Sequence, residues 1–208
     1  MLETKDLTFQ YPGGKPYSFP SFSLGKGDQA IVRGKSGSGK TTLLHLTAGI
    51  LKPSGGRVVI SGTSIHDLSA AETDRFRGRH IGLIFQQHHF IHSLNMEENL
   101  LLAQSLPGNP TDRKVISGLL SELDISMLAR KKPSVLSQGE LQRFSVARAM
   151  INQPVIILAD EPTSSLDDEN CSRFTRLLLE ISGRRATTLL IATHDNRLSK
   201  EFSTVIDL

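Results

Sequence analysis

Gly34-Lys35-Ser36-Gly37-Ser38-Gly39-Lys40-Thr41 has the spacing G-x-x-x-x-G-K-[ST], and those residue types suit the wrapping of a phosphate chain. Glycines turn the backbone without a Cβ penalty, so successive N–H groups can face an anion. Lys40 then reaches the β and γ phosphates as a mobile point charge, and the Thr41 hydroxyl ligates Mg2+. A second pair with chemical capacity is Asp160-Glu161. Asp160 can share Mg2+ with Thr41, commonly through water, while Glu161 can accept a proton from an attacking water. Gln86 offers an amide to both metal and water, and His194 can bond a γ phosphate or orient the nucleophile. The plainer alternatives are a glycine-rich turn before a helix, an acidic pair capping a strand and a surface glutamine. Of the seven histidines, His88, His89 and His92 read as solvated loop residues without zinc-ligand spacing.

Strands and helices must hold these groups. Residues 29–33 are a short, largely apolar run and 41–48 read as the first turns of a helix, so the phosphate loop lies between strand and helix. Residues 2–9 and 17–24 alternate on either side of Pro12-Gly13-Gly14, predicting an antiparallel hairpin. Pro53-Ser54-Gly55-Gly56 ends the first helix, and residues 57–60 return as a strand. Residues 69–79 are polar and helical, and 81–85 are apolar enough for a buried strand that delivers Gln86. Between 95 and 149 apolar residues recur at helical spacing, with a break at Pro107-Gly108-Asn109-Pro110, which predicts a helical insertion. The continuous apolar run 155–159 suits a parallel strand buried on both faces. A helix over 169–181 and a central strand over 186–192 follow, the latter with His194 at its tip. Polar groups collected at the carboxyl ends of strands are where an α/β sheet binds ligand.

Length and composition agree with one domain: 208 residues can bury a sizeable core but not two independent ones. A net charge of +3, from 24 basic and 21 acidic residues, is too balanced for a nucleic-acid footprint. The single cysteine, Cys171, excludes an intrachain disulfide and fits a reducing compartment. The opening residues contain no apolar leader and no run approaches about eighteen apolar residues, so neither secretion nor a membrane span is expected.

The chain resembles the nucleotide-binding subunits of ATP-binding-cassette (ABC) transporters. Leu136-Ser137-Gln138-Gly139-Glu140 is similar to that family's signature, and residues 155–161 to its Walker B strand. Ser165-Leu166-Asp167 is similar to its D-loop, Gln86 to its Q-loop, His194 to its switch histidine and Tyr11 to the aromatic that stacks on adenine. The resemblance runs in order from residue 2 to 207. It implies an α/β fold, a P-loop NTPase core with an antiparallel β lobe and an inserted helical signature lobe. Residues 1–86 and 150–208 would form the core with the β lobe, and 87–149 the helical lobe of one cassette. It implies ATP and Mg2+ as cofactors, Glu161, His194 and Gln86 as catalytic groups, and Thr41, Gln86 and Asp160 on the metal. ATP would be held by Tyr11, Gly34, Lys35, Ser36, Gly37, Ser38, Gly39, Lys40, Thr41 and Thr42, with Ser137, Gln138, Gly139 and Asp167 completing the site.

By the same resemblance two subunits, identical or related, pack head to tail, so that Ser137 and Gly139 of one close on the γ phosphate held by Lys40 of the other. Within the family, residues 79–86, Glu98-Asn99 and residues 158–163 look most like the lipoprotein-releasing, macrolide-exporting and cell-division group. Those ATPases drive a separate integral membrane permease from the cytoplasmic face of the cell membrane. The segment from Gln86 to Asn99, with Phe90, Ile91, Leu94 and Met96 beside Glu97 and Glu98, is together with the helix that follows the expected docking surface for that partner. Gln138 departs from the usual glycine of the signature, Ser164-Ser165 from the usual Gly-Asn, and relatives continue past Leu208 through a glycine-containing hairpin. Two other classes remain: a soluble ABC ATPase of DNA repair or translation, and a nucleotide-regulated binding module without turnover. The first normally brings a long coiled coil or tandem cassettes, and intact Glu161 and His194 argue against the second.

Overall fold

The computed structural model describes residues 1–164, 166–195, 197–198 and 201–208. The chain opens as β1 (Leu2–Gln10), β2 (Pro16–Ser18) and β3 (Phe22–Leu24), crosses to a second sheet as β4 (Gln29–Arg33), and passes through helix α1 (Lys40–Thr47). It returns as β5 (Gly55–Ile60) and β6 (Thr63–Ser64). β1 is the spine of an antiparallel sheet, with β2 and β3 in tandem along one edge and β5 along the other. The expected hairpin therefore forms, but its return strand is split, because Pro20 has no N–H to give to a ladder. Gly55 and Gly56 belong to β5 rather than to the turn before it. Gly56 has φ +80, and a Cβ there would lie 2.3 Å from the Asp6 carbonyl oxygen, at the register shift in β1.

Helix α2 (Ala70–His80) starts at Ser69 in a capping box with Glu72 and leads into β7 (Ile81–Ile84). Three helices follow: α3 (Met96–Ser105), α4 (Arg113–Glu122) and α5 (Gln138–Met150). The chain ends with β8 (Ile156–Asp160), α6 (Asp168–Arg184), β9 (Thr188–Thr193) and β10 (Thr204–Asp207). β9 starts two residues later than its apolar run because Ala186 is left-handed, at φ 48. β10, which has no clear alternation in sequence, pairs with β4 and is fastened by Arg33 Nε to Asp207 Oδ1 at 2.8 Å.

Strands β10-β4-β9-β8-β7 form an all-parallel sheet. Its continuous apolar runs are divided between two cores by the alternation of side chains across a strand. Ile31, Ile157, Ala159, Leu189 and Ile191 pack with α3 to α6, around the fully buried Phe144. Ala30, Val32, Ile156, Leu158, Leu190 and Ala192 pack with α1 and the antiparallel sheet. α5 lies so close to β7 that a Cβ on Gly82 would be 2.5 Å from the Ala149 carbonyl oxygen. Among the described residues, no helix is long and apolar enough to cross a membrane.

Two apolar residues of the expected docking segment prove to be core. Phe90 and Met96 are buried in the cluster that contains Phe144, whereas Ile91 is exposed. Glu97 pairs with Arg113, and Glu98 completes a capping box with Asn95.

Candidate functional site

The carboxyl ends of β4, β9, β8 and β7 lie side by side, and the chemically able residues leave from them. From β4 the chain turns through Gly34–Gly39 into α1. Gly39 holds the helix N-cap at φ 101, a conformation open to glycine, and a Cβ there would meet the Tyr17 ring at 2.8 Å. Among the described residues no side chain caps the first turn of α1, so its N–H groups are available to an anion. Lys40 is buried, and its Nζ donates to the Gly34 carbonyl at 2.9 Å and the Lys35 carbonyl at 3.2 Å. Inside the loop, the buried Ser38 hydroxyl has no partner among the described residues, with the site of a Gly34 Cβ 2.4 Å from its oxygen. Uncapped amides, an orphan hydroxyl and a lysine held on the loop's own carbonyls fit a phosphate chain. Tyr11 and Thr42 bring their hydroxyls to 3.2 Å, and the Tyr11 ring, packed edge-on to Phe9, stays exposed beside the loop.

Thr41 Oγ1 donates to Asp160 Oδ1 at 3.1 Å, uniting a hydroxyl from α1 with a carboxylate from the end of β8. Burial pushes the Asp160 carboxyl above its usual range, the Thr41 bond only partly opposing it, and neighbouring Glu161 adds to the rise. A carboxylate so placed gains from a cation, and the hydroxyl–carboxylate pair of Thr41 and Asp160 would suit Mg2+. Glu161 departs from extended geometry at φ 46, a strained conformation for a residue with a side chain, while its N–H donates to the Ala192 carbonyl at 2.8 Å. Its Oε1 lies 2.8 Å from His194 Nδ1 and 3.6 Å from Lys40 Nζ. Its Oε2 accepts from the Thr193 hydroxyl at 3.2 Å and the His194 N–H at 3.4 Å. A carboxylate fixed on four sides, between the lysine and the tip of β9, is placed to take a proton from a water at the phosphate end. Gln86 Nε2 donates to Ser164 Oγ at 3.3 Å, joining the end of β7 to the loop after Glu161.

The signature residues point elsewhere. Ser137 is the N-cap of α5, its hydroxyl accepting from Glu140 N and donating to the Glu140 carboxylate at 2.8 Å. Gln138 Oε1 is 3.1 Å from His88 Nε2, and Gly139 has open space at its Cα. Among the described residues, none of these three bonds to the phosphate loop of its own chain. Asp167 caps α6, accepting from Asn170 N at 2.8 Å, and those bonds hold its carboxyl below the usual range. Ser165, the first residue of the expected D-loop, lies outside the described residues.

His88 is not the solvated loop residue expected from sequence. It is half-buried, with Nδ1 2.9 Å from Ser145 Oγ, and burial pushes its imidazole below the ordinary histidine range. No local signal marks it, because both of its partners lie on α5, far along the chain.

A loop shaped for phosphates beside a hydroxyl–carboxylate pair for a divalent cation defines a nucleoside-triphosphate hydrolase of the phosphate-loop class. The family described as ABC transporter matches residues 18–164. The chain is 37% identical over 190 residues to the lipoprotein-releasing system ATP-binding protein LolD of Buchnera aphidicola, covering 90% of this chain and 83% of that one. It is 36% identical to LolD 1 of Rhodopirellula baltica, covering 100% of this chain and 93% of that one. Among solved structures, the ATP-binding cassette MJ0796, a dimer in a post-hydrolysis state bound to ADP and Pi, superposes with a TM-score of 0.89 at 30% identity, over 100% of this chain and 94% of that one. The chain belongs to the ABC transporter family, as one of its ATP-hydrolysing subunits. Membership brings ATP and Mg2+ with it.

Proposed function

We propose that two copies of this chain, or one copy and a related cassette, close head to tail on Mg-ATP and drive a separate membrane permease. The observation that carries this is the direction of the signature's bonds. At the start of α5 Ser137 and Glu140 bond to each other and Gln138 to His88, and among the described residues none turns to the phosphate loop of the same chain. A helix start with an uncommitted Gly139 suits a γ phosphate presented by a second chain. The dimeric state of MJ0796 supports the pairing, and the relatives named for lipoprotein release support a permease of extraction or export type. The subunit would then sit at the inner face of the cell membrane through that partner. One cassette accounts for the whole chain, with residues 1–86 and 150–208 as core and β lobe and 87–149 as the helical lobe.

In this assignment the residues from Gly34 to Thr42 cradle the phosphates and Tyr11 lies under the adenine. Thr41, Asp160 and Gln86 would hold Mg2+, which would supply positive charge to the phosphates. Glu161 accepts the proton of the attacking water, His194 fixes the Glu161 carboxylate and reaches toward the γ phosphate, and Ser137, Gln138, Gly139 and Asp167 close the site from the other subunit. The permease element docks beside the Gln86–Asn99 segment, in the cleft of about 730 Å3 between α2, β7, α3 and α5. Leu83, Phe85 and the exposed Leu106 supply its apolar lining, and Arg75, Arg148 and the Arg77–Asp74 pair a charged one with an excess of positive charge, a combination that suits an amphipathic element with acidic residues.

The test is light scattering of the Glu161→Gln protein, in which nucleotide persists. A dimer with saturating Mg-ATP and a monomer with ADP is expected, because ligand bound only between the copies stabilises the pair. A monomer under both conditions, with Ser137→Arg leaving wild-type turnover intact, would overturn the composite site.

A further inference from the structure

The five residues from Gln86 to Phe90 are tied at both ends. At one end, Gln86 reaches Ser164 in the loop after Glu161, at 3.3 Å. At the other, Arg148 of α5 lies over the Phe90 ring at 4.6 Å and donates to the His89 carbonyl at 3.1 Å. Between them the chain reverses at His89, left-handed at φ 49. His88, stacked on Phe90, bridges Gln138 and Ser145 on α5. It thereby connects the segment that carries Gln86 to the residue next to Ser137.

The hydrogens in this bridge decide which residue can complete it. Ser145 is fully buried and has one hydroxyl hydrogen, which can go to the Leu141 carbonyl at 3.0 Å or to His88 Nδ1. If it goes to His88, Nε2 carries the ring hydrogen and needs an acceptor at position 138. If it goes to Leu141, Nδ1–H donates to Ser145 and the bare Nε2 needs a donor. The Gln138 amide can present either end, whereas a glycine at that position offers neither.

We propose that His88 is a positioning residue: through Gln138 it couples the start of α5, which closes on the nucleotide of the other subunit, to Gln86 in the chain's own site, making hydrolysis at the two sites cooperative. The coupling rests on the composite dimer proposed above. A bonded path alone does not establish it, so the test must measure coupling energy between sites and between residues.

The experiment uses the full chain as wild type, His88→Ala, His88→Gln, Gln138→Gly and the double variant His88→Ala with Gln138→Gly. Steady-state phosphate release against Mg-ATP gives kcat, KM and the Hill coefficient, which is expected above one for the wild type. His88→Ala should lower kcat on the order of tenfold, inside the roughly 5–150-fold range of coupling between sites, with KM moving less than about twofold and the Hill coefficient falling to one. His88→Gln, whose amide can still meet Gln138, should regain most of the rate. In the Gln138→Gly background, His88→Ala should change nothing further. Where His88→Ala does not fold, Gln138→Gly must reproduce the loss of cooperativity by itself, and a wild-type Hill coefficient in that variant overturns the proposal. So does a wild-type kcat and Hill coefficient in His88→Ala, provided the Glu161→Gln form of that variant still dimerises on Mg-ATP. Failure of Glu161→Gln alone to dimerise strikes the composite site instead, and the coupling falls with it.

Discussion

Replacing Glu161 with Gln keeps the side chain's size and removes one charge from a carboxylate with contacts on both oxygens. The amide must choose an orientation. Its oxygen is best left facing Lys40 and His194, at the distances of 3.6 and 2.8 Å now held by Oε1. The new NH2 group then points at the Thr193 hydroxyl, which can rotate to accept, and at the His194 N–H, which cannot. One long hydrogen bond and the charge assistance to Lys40 are lost, at a cost of about 1–3 kcal/mol. For a chain of this length that lowers the nucleotide-free melting temperature by roughly 2–4 °C per kcal/mol. Turnover should fall by about 10²–10⁴-fold, the contribution of a positioned base. Unspent ATP then reverses the order of stability: at about a hundred times Kd, bound ligand adds roughly 2.7 kcal/mol. Phosphate release and thermal melts with and without Mg-ATP form the assay. The variant should melt below wild type alone and above it with Mg-ATP. Wild-type turnover in Glu161→Gln would remove the proton-accepting role, and unchanged melting without nucleotide would show that the carboxylate is not held as the geometry has it.

Two further outcomes follow from buried titrating groups. The Asp160 carboxyl is pushed up by burial, so its contribution to stability is present below the unfolded value and lost as pH rises through the folded one. Asp160→Asn should therefore raise the nucleotide-free melting temperature at pH 7, with the gain shrinking toward pH 4, while Mg2+-dependent turnover collapses; a variant less stable than wild type at pH 7 would contradict this. His66, His80 and His88 are all pushed down by burial, so their contribution is present above the ordinary value of about 6.5 and lost as pH falls through the folded values. The urea midpoint should fall between pH 7 and pH 5, and a flat profile would show that these rings titrate as in the unfolded chain.

The core of the fold was legible because its signals are local. The apolar run ending at Asp160, the glycines before Lys40 and the polar tip after residue 192 each declare a strand end without reference to distant residues. Interactions that depend on distant partners were not legible. Phe90 and Met96 looked like interface anchors because nothing near them in sequence reveals that they meet Phe144. β10 has no pattern of its own and exists through the ladder with β4. In the candidate site, the meeting of Thr41 with Asp160 could be anticipated from the chemistry of a shared cation. His88 could not be read that way, since its two partners lie 50 and 57 residues further along the chain.

The division of the parallel sheet between two cores also sorts its acids. Ile156, Leu158 and Asp160 leave β8 on the side of α1, so Asp160 inherits Thr41 as its neighbour. Ile157 and Ala159 leave on the side of the helices, and Glu161, next in that alternation, turns off the strand to meet the tip of β9. Adjacent carboxylates thus acquire different tasks from the pleat itself. Exchanging them, as Asp160→Glu with Glu161→Asp, would conserve every charge and every atom, yet bring a long acid to the metal and a short one to the water. The order of two letters in the sequence is a statement about which side of a sheet each one serves.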